Sequence, residues 1–250
     1  MIKIGICGIC GKMGGRIADL AMQEEDVEIG AVFEQEDNPM VGKDLGEVLG
    51  TRETGIKVSP ELGKTMVKID CLIDFTSPVA TLENVRVCAD KKIPIVIGTT
   101  GLDEKTESVI VKASKEIPVV YSPNMSIGVN LLFGLVREAA KVLGRDFFIK
   151  VDETHHVHKK DSPSGTAKMI AKIIKEACGK DVPIEAFREG EVVGNHGVVF
   201  DGEYERIEIR HEAKSRDVFV VGAIKAAKFV AGKKPGLYKM TDVLGLKGDK

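Results

Sequence analysis

The sequence has no tryptophan and only 5% aromatic residues, so it lacks the ring platforms on which single-stranded bases stack. No apolar run approaches the ~18 residues of a membrane-spanning helix. There is no excess of either charge: 36 Lys and Arg stand against 38 Asp and Glu, a net charge of −2. That balance gives no electrostatic footing on nucleic acid or an anionic membrane, and neither is expected as a partner. The five cysteines, Cys7, Cys10, Cys71, Cys88 and Cys178, are odd in number and scattered. They fit reduced thiols and not a disulfide framework. Cys7 and Cys10 have the C-x-x-C spacing, but no second pair lies nearby, and no metal site is expected. The opening Met1–Ile6 reads as a strand and has no basic segment leading a longer apolar stretch. The expected location is therefore cytoplasmic.

The chain has 250 residues, 43% hydrophobic and 30% charged. This is a globular composition, long enough for one large domain or two small ones. Strand and helix patterns alternate through the first half. Ile2, Ile4 and Ile6 form a strand, then Met13, Ile17, Leu20 and Ala21 recur at helical spacing. Residues 28–33, 69–75, 94–97 and 117–121 read as further strands, and residues 35–64 as a loop with at most a short helix. Ser77 and Pro78 mark a helix start, and Asp103–Lys115 is another helix. Repeated βα units of this kind predict a parallel sheet covered on both faces. After Pro123 the pattern predicts a helix over 126–143 with Ile127, Leu131, Leu135, Ala139 and Val142 inward. A strand over 147–154 and a helix over 163–178 follow, then strands through 184–214, a helix over 219–231 and an ordered tail. The expected class is α/β, a Rossmann-like domain plus an α+β domain.

Gly8-Ile9-Cys10-Gly11-Lys12-Met13-Gly14 sits between the first strand and the first helix. Glycine lets backbone N–H groups approach a phosphate at a helix N-terminus. The spacing is G-x-x-G-x-x-G and departs from the G-x-G-x-x-G fingerprint. A plain βα turn would use the same glycines. Glu34, about 20 residues on at the end of the second strand, can accept from an adenosine ribose and favours the nucleotide reading. Gly98-Thr99-Thr100-Gly101 and Ser122-Pro123-Asn124-Met125 follow two later strands, where open α/β sheets bind ligands. Either is also an ordinary turn by composition.

The densest polar segment runs from Glu153 to Thr166 and holds His155, His156, His158, Lys159 and Lys160. Metal ligation and acid–base chemistry both use histidine. The H-E-x-x-H spacing is absent, and a histidine beside a lysine favours proton transfer. The N–H groups of Ser164, Gly165 and Thr166 at a helix start offer a carboxylate seat, with Ser162 as the expected cap.

From Glu153 to Ala167 the segment fills the pattern acidic-x-H-H-x-x-K-x-D-x-P-S-G-T-A and closely resembles the signature of the dihydrodipicolinate reductase family. The resemblance extends through the glycine loop, Gly98–Gly101, Ser122–Asn130 and His211-x-Ala213-x-Ser215-Arg216. It implies NADH- or NADPH-dependent reduction of 4-hydroxy-tetrahydrodipicolinate, a cyclic imino dicarboxylate, in lysine and diaminopimelate biosynthesis. It implies cofactor contacts by Gly8, Ile9, Cys10, Gly11, Lys12, Met13, Glu34, Gln35, Gly98, Thr99, Thr100, Ser122, Pro123, Asn124 and Met125. His155 and Lys159 become catalytic, and His156, Lys159, Gly165 and Thr166, with Thr100, hold the substrate. A dinucleotide-binding domain of 1–126 and 217–250, a substrate-binding domain of 127–216 and a homotetramer are likewise implied. Two positions depart from the pattern: Gln35 stands where the family often has Arg, and Met125 where an aromatic residue is common. Two rival readings are a nucleotide-binding regulator without turnover and another imine or amino-acid dehydrogenase. His155 and Lys159 argue against the first, and Pro163-Ser164-Gly165-Thr166 against the second.

Overall fold

The computed structural model describes residues 1–64 and 67–246; residues 247–250 of the expected first-domain segment lie outside them. The elements in chain order begin β1 (Ile2–Cys7), α1 (Lys12–Ala21), β2 (Val27–Phe33), α2 (Leu45–Leu49), β3 (Val58–Ser59) and β4 (Cys71–Asp74). Next come α3 (Pro78–Lys91), β5 (Ile95–Ile97), α4 (Glu104–Ala113) and β6 (Pro118–Tyr121). Then follow α5 (Ile127–Leu143), β7 (Phe148–His155), α6 (Gly165–Cys178), β8 (Ile184–Arg188), β9 (Asn195–Asp201) and β10 (Arg206–Glu212). The chain closes with α7 (Asp217–Val230), β11 (Gly236–Tyr238) and α8 (Met240–Val243). It divides into two compact units, Met1–Met125 with Phe219–Gly245, and Ser126–Val218 with Leu246.

The first unit is built on a seven-stranded sheet in the order β11-β6-β5-β4-β1-β2-β3, every pair parallel. β4 and β5 are buried along their whole length, which is why both read as continuous apolar runs. Apolar residues of α1, α7 and α8 cover one face, and those of α3 and α4 the other. The strand order reverses beside β1, because β2 and β3 lie on one side of it and β4, β5 and β6 on the other. Ligands bind at such a reversal, beyond the carboxyl ends of the strands. Ser77 caps α3 by accepting from the Ala80 N–H, with Pro78 in the first turn, as its sequence requires. Residues 35–64 are more ordered than a loop. β3 adds an edge strand beside β2, and Asp44 accepts from the N–H groups of Gly46, Thr54 and Gly55. Two residues are too few to show alternation, so β3 carried no signal.

The second unit has a four-stranded sheet in the order β10-β9-β7-β8, with β7 and β8 parallel and the other pairs antiparallel. β7 alternates strictly. Ile149, Val151, Glu153 and His155 are buried on one face. Ile149 and Val151 pack with Leu132, Val136 and Ala140 of α5 and with Ala167, Ile170 and Ile174 of α6. The same row of the sheet places His196 of β9 opposite Glu153, and His211 of β10 opposite His196. The core face of this sheet therefore turns from apolar to ionisable along one strand.

Two expectations are corrected. α5 buries Val129, Leu132, Val136 and Ala140, while Leu131, Leu135 and Val142 are exposed. Apolar residues surround this helix, so its periodicity has two solutions, and packing against α6 and the sheet selects the other one. α6 starts at Gly165, and its cap is Ser164, not Ser162. Pro suits the first helical turn and so pointed to Ser162, but the Ser164 Oγ reaches the Ala167 N–H at 3.2 Å.

The α5 assignment has a direct test in stability. Leu132→Ala should destabilise the protein by about 2–5 kcal/mol, as deletion of a buried leucine does. Val142→Ala should stay within about 0.5 kcal/mol, as exposed substitutions do. Denaturant titration of both variants checks the order, and a larger loss for Val142→Ala would mean the helix is turned the other way.

Candidate active site

β1 ends at Cys7, and the chain turns through Gly8 at φ +73°, a left-handed conformation that favours glycine. The Gly8 and Ile9 N–H groups bond to the Phe33 carbonyl, tying the loop to the end of β2. A Cβ on Gly14 would lie 2.1 Å from the Gly8 carbonyl oxygen, so helix and loop meet only because Gly14 has none. The start of α1 has no side-chain cap, which leaves a helix N-terminus suited to an anion. Glu34 is fixed beside it: Oε2 accepts from the Cys10 N–H at 2.9 Å and Oε1 from the Gln35 N–H at 3.0 Å. A cleft of about 440 Å³ is lined by Gly8, Gly11, Glu34, Gln35, Thr76 and Asn84 among others. A second cavity of about 370 Å³ is lined by Ile9, Cys10, Gly11, Lys12 and Arg16, with neighbours from α1 and α2. These residues fit a dinucleotide, with the close backbone approach at Gly8 and Gly14 and a carboxylate at the cleft.

The other expected cofactor residues divide into exposed and buried. Thr100 and Pro123 are exposed, and Met13, Gly98 and Asn124 are partly so. Thr99 is buried, and its Oγ1 accepts from the Thr76 N–H and the Thr81 hydroxyl. It positions Thr76 at the cleft and does not present its own hydroxyl. Ser122 donates to the Asn124 carbonyl and shapes the turn after β6. The Met125 and Ile9 side chains belong to the first unit's core, 1% and 0% exposed, so neither projects as a contact surface. Partial burial and Glu34 push the Cys10 thiol up to about 11, which keeps it protonated and a poor nucleophile.

In the second unit the histidine cluster separates. His158 is exposed, near Glu191, while His155 is buried on the core face of β7. The His155 Nδ1 hydrogen-bonds Glu153 Oε2. Glu153 is wholly buried, and its Oε1 accepts from the Ser164 N–H and from Arg188 Nη1, both at 3.1 Å. Burial raises the Glu153 carboxyl, but these hydrogen bonds outweigh it and leave the group below the usual carboxylate range. Desolvation lowers His155, aided by Lys159 and Arg188 and opposed by Glu153. Burial therefore favours the neutral ring, and an ionised Glu153 can only accept, which favours a proton on Nδ1. The His196 ring lies edge-on to His155 at 5.1 Å, and burial pushes it down to about 4. Among the described residues, the buried Nδ1 atoms of His156, His196 and His211 have no hydrogen-bond partner in the protein.

Lys159 Nζ pairs with Asp161 at 2.7 Å, and hydrogen bonding to Lys159 holds the Asp161 carboxyl below the usual range, with a further contribution from the Gly165 N–H. One expectation changes here: the Ser164 N–H is committed to Glu153 and so is withdrawn from the carboxylate seat expected at the start of α6. The space in front of Gly165 is open, with no atom within 4 Å of where a Cβ would stand. Sequence reasoning assigned no role to Glu153, Arg188 or His196. The available signal was alternation: Glu153 and Arg188 follow, and His196 precedes, apolar residues at every second position of their strands, which puts each on the inward row. Among the described residues, no group of three or more His, Cys, Asp or Glu is placed to hold a metal ion. No described helix is long and apolar enough to cross a membrane.

Comparison with known proteins agrees over the full length. Residues 2–125 match the family model for the N-terminus of dihydrodipicolinate reductase, and residues 128–244 match the model for its C-terminus. The 4-hydroxy-tetrahydrodipicolinate reductase of Geotalea daltonii is 40% identical, covering 99% of this chain and all of its own length. That of Trichlorobacter lovleyi is 42% identical with the same coverage. The structure of dipicolinate-bound dihydrodipicolinate reductase from Paenisporosarcina sp. TG-14 matches with a TM-score of 0.84 and 25% identity, covering 97% of this chain and 98% of its own. With the glycine loop on a reversed parallel sheet and the Glu153-to-Ala167 motif on a second, mixed one, the chain belongs to the dihydrodipicolinate reductase family.

Proposed function

We propose that this chain reduces 4-hydroxy-tetrahydrodipicolinate to tetrahydrodipicolinate, in lysine and diaminopimelate biosynthesis, with NADH or NADPH. The observation that supports the reading is that Glu153 links His155 to the Ser164 N–H and Lys159 pairs with Asp161, so that a histidine and a lysine flank the start of α6. Dipicolinate, held by the Paenisporosarcina relative, is a flat cyclic dicarboxylate of the matching shape class. In each turnover one hydride and one proton enter the substrate and its hydroxyl leaves as water. The nicotinamide supplies the hydride when bound.

The proton is the protein's task. Lys159 is the donor: its ammonium lies at Asp161 and its side chain is only 23% exposed, so it is a positioned cation. His155, neutral with Nε2 open, relays a proton to restore it. His156, Lys159, Gly165 and Thr166 hold the carboxylates. Gly8, Ile9, Cys10, Gly11, Lys12, Met13, Gly98, Thr99, Ser122, Pro123, Asn124 and Met125 hold the cofactor, several by backbone alone. Glu34 accepts from the ribose hydroxyls, and its charge repels a 2′-phosphate. Gln35 adds hydrogen bonds without charge, and Lys12 neutralises a phosphate only in part. Both cofactors should serve, with NADH equal or preferred. The protein is taken to be a cytoplasmic homotetramer assembled through its second unit.

The reading is tested by NADH and NADPH oxidation with freshly generated substrate. Turnover supports it. NADH binding without turnover would instead mark a nucleotide-binding regulator. Lys159→Ala should cut kcat by about 10²–10⁴-fold while leaving the NADH dissociation constant nearly unchanged. Near-normal turnover would remove Lys159 from the donor role. Thr166→Val should raise the substrate KM and leave NADH affinity alone; weakened NADH with unchanged KM would contradict the carboxylate seat. Gln35→Arg should move the NADPH-to-NADH ratio of kcat/KM towards NADPH by at most the roughly 1.5–3 kcal/mol of a charged hydrogen bond. A wild type that strongly prefers NADPH, or a ratio that does not move, would place cofactor selection elsewhere.

A further inference from the structure

We infer that Glu153 is a positioning residue of this site, one carboxylate that fixes the tautomer of His155 with one oxygen and the first turn of α6 with the other. This rests on the reductase reading for its effect on turnover, though not for its effect on the His155 ring. The geometry is specific. Oε2 meets the His155 Nδ1, and Oε1 meets the Ser164 N–H and Arg188 Nη1. Ser164 is the cap of α6, and Gly165 and Thr166, the proposed carboxylate seat, are its first two residues. The proton relay and the substrate seat are thus two arms of one buried anion.

Stability alone does not explain this carboxylate. The face of β7 on which it lies begins with Ile149 and Val151 and packs against two helices. A buried charge cluster is commonly no more stable than an apolar replacement of similar volume, because desolvation offsets attraction. What the carboxylate adds is direction. A neutral imidazole has two tautomers, and only the Nδ1–H form leaves Nε2 free to take and return a proton. An acceptor at Nδ1 selects that form and stabilises the imidazolium that appears in passing, the arrangement used where an aspartate orients a catalytic histidine.

The charges around His155 come from every neighbouring element. Arg188 on β8 is paired with Glu153 and turns its Nη2 to the Asp161 carbonyl. Lys159 lies on the loop after β7 and faces Asp161. His196 on β9 and His211 on β10 are both held below their ordinary range by burial, so the cross-strand row adds no positive charge at neutral pH. Arg188 balances Glu153 at rest, which leaves His155 neutral and able to accept one proton.

The test combines ¹⁵N NMR of the histidine rings with kinetics on the full chain. In the wild type the His155 ring should be the Nδ1–H form. In Glu153→Gln the amide can donate to Nδ1, the ring should switch to Nε2–H, and its pKa should fall. The same variant should lose kcat by about 10²–10⁴-fold, as when a positioned acid–base group is disabled or held in the wrong tautomer. Its NADH dissociation constant should not change. An unchanged kcat, or an unchanged ring tautomer, would overturn the proposal. Where Glu153→Gln fails to fold, Glu153→Asp carries the test: retained Nδ1–H together with most of kcat supports it, and lost kcat with Nδ1–H intact refutes it. Failure of the wild type to turn over the substrate would sink the reductase reading instead, and the tautomer comparison would still decide what Glu153 does.

Discussion

The wholly buried carboxylate of Glu153 is the constraint from which the polar end of the second unit follows. An isolated ionised carboxylate in an apolar interior is prohibitively expensive, so the fold has to bring donors to it. It brings them from three directions: the imidazole two residues along β7, the guanidinium at the end of β8, and the backbone N–H of Ser164, the cap residue of α6. Satisfying this one group therefore orients His155, locks Arg188 and sets where α6 begins. His196 and His211 continue the row as neutral rings, because burial there carries no compensating anion as close.

The first unit solves a different problem by different means. Its site is shaped by the backbone, through a positive φ at Gly8 and the absence of a Cβ at Gly14. Side chains then tune it. Glu34 is tied down by two N–H groups. Thr99 is spent on holding Thr76, which borders the cleft. Asp74 reinforces the same turn by accepting from the Thr76 N–H and hydroxyl, a carboxyl pushed up by burial. On the proposed reading, the division of labour is a backbone-shaped mould for the dinucleotide and a charged, hydrogen-bonded cluster for the dicarboxylate.

Much of this was legible in the residues, for identifiable reasons. Parallel strands buried on both faces write themselves as short apolar runs, and a cap followed by proline marks α3. The Glu153–Ala167 motif concentrates ionisable groups too densely for an ordinary loop. What stayed hidden was whatever depends on tertiary choice. α5 is apolar on several sides, and only α6 and the sheet decide which side is buried. β3 is two residues long and exists through pairing with β2. The cap of α6 lies at Ser164, and the loss of that N–H from the anion seat follows from a carboxylate eleven residues earlier, which no local rule connects. Alternation along β8 turns Arg188 inward, but its partner appears only when β8 pairs with β7 and aligns it with His155.

The central claim is that the cluster built on β7 and the start of α6 receives a cyclic dicarboxylate. The most direct measurement is a titration of dipicolinate into the NADH-bound protein, followed through the ¹⁵N resonances of its histidine rings. The account predicts saturable shifts at the buried His155 and at His156, whose Nδ1 is buried without a partner, and none at the exposed His158. Binding that leaves His155 and His156 unmoved, or moves His158 alone, would contradict it.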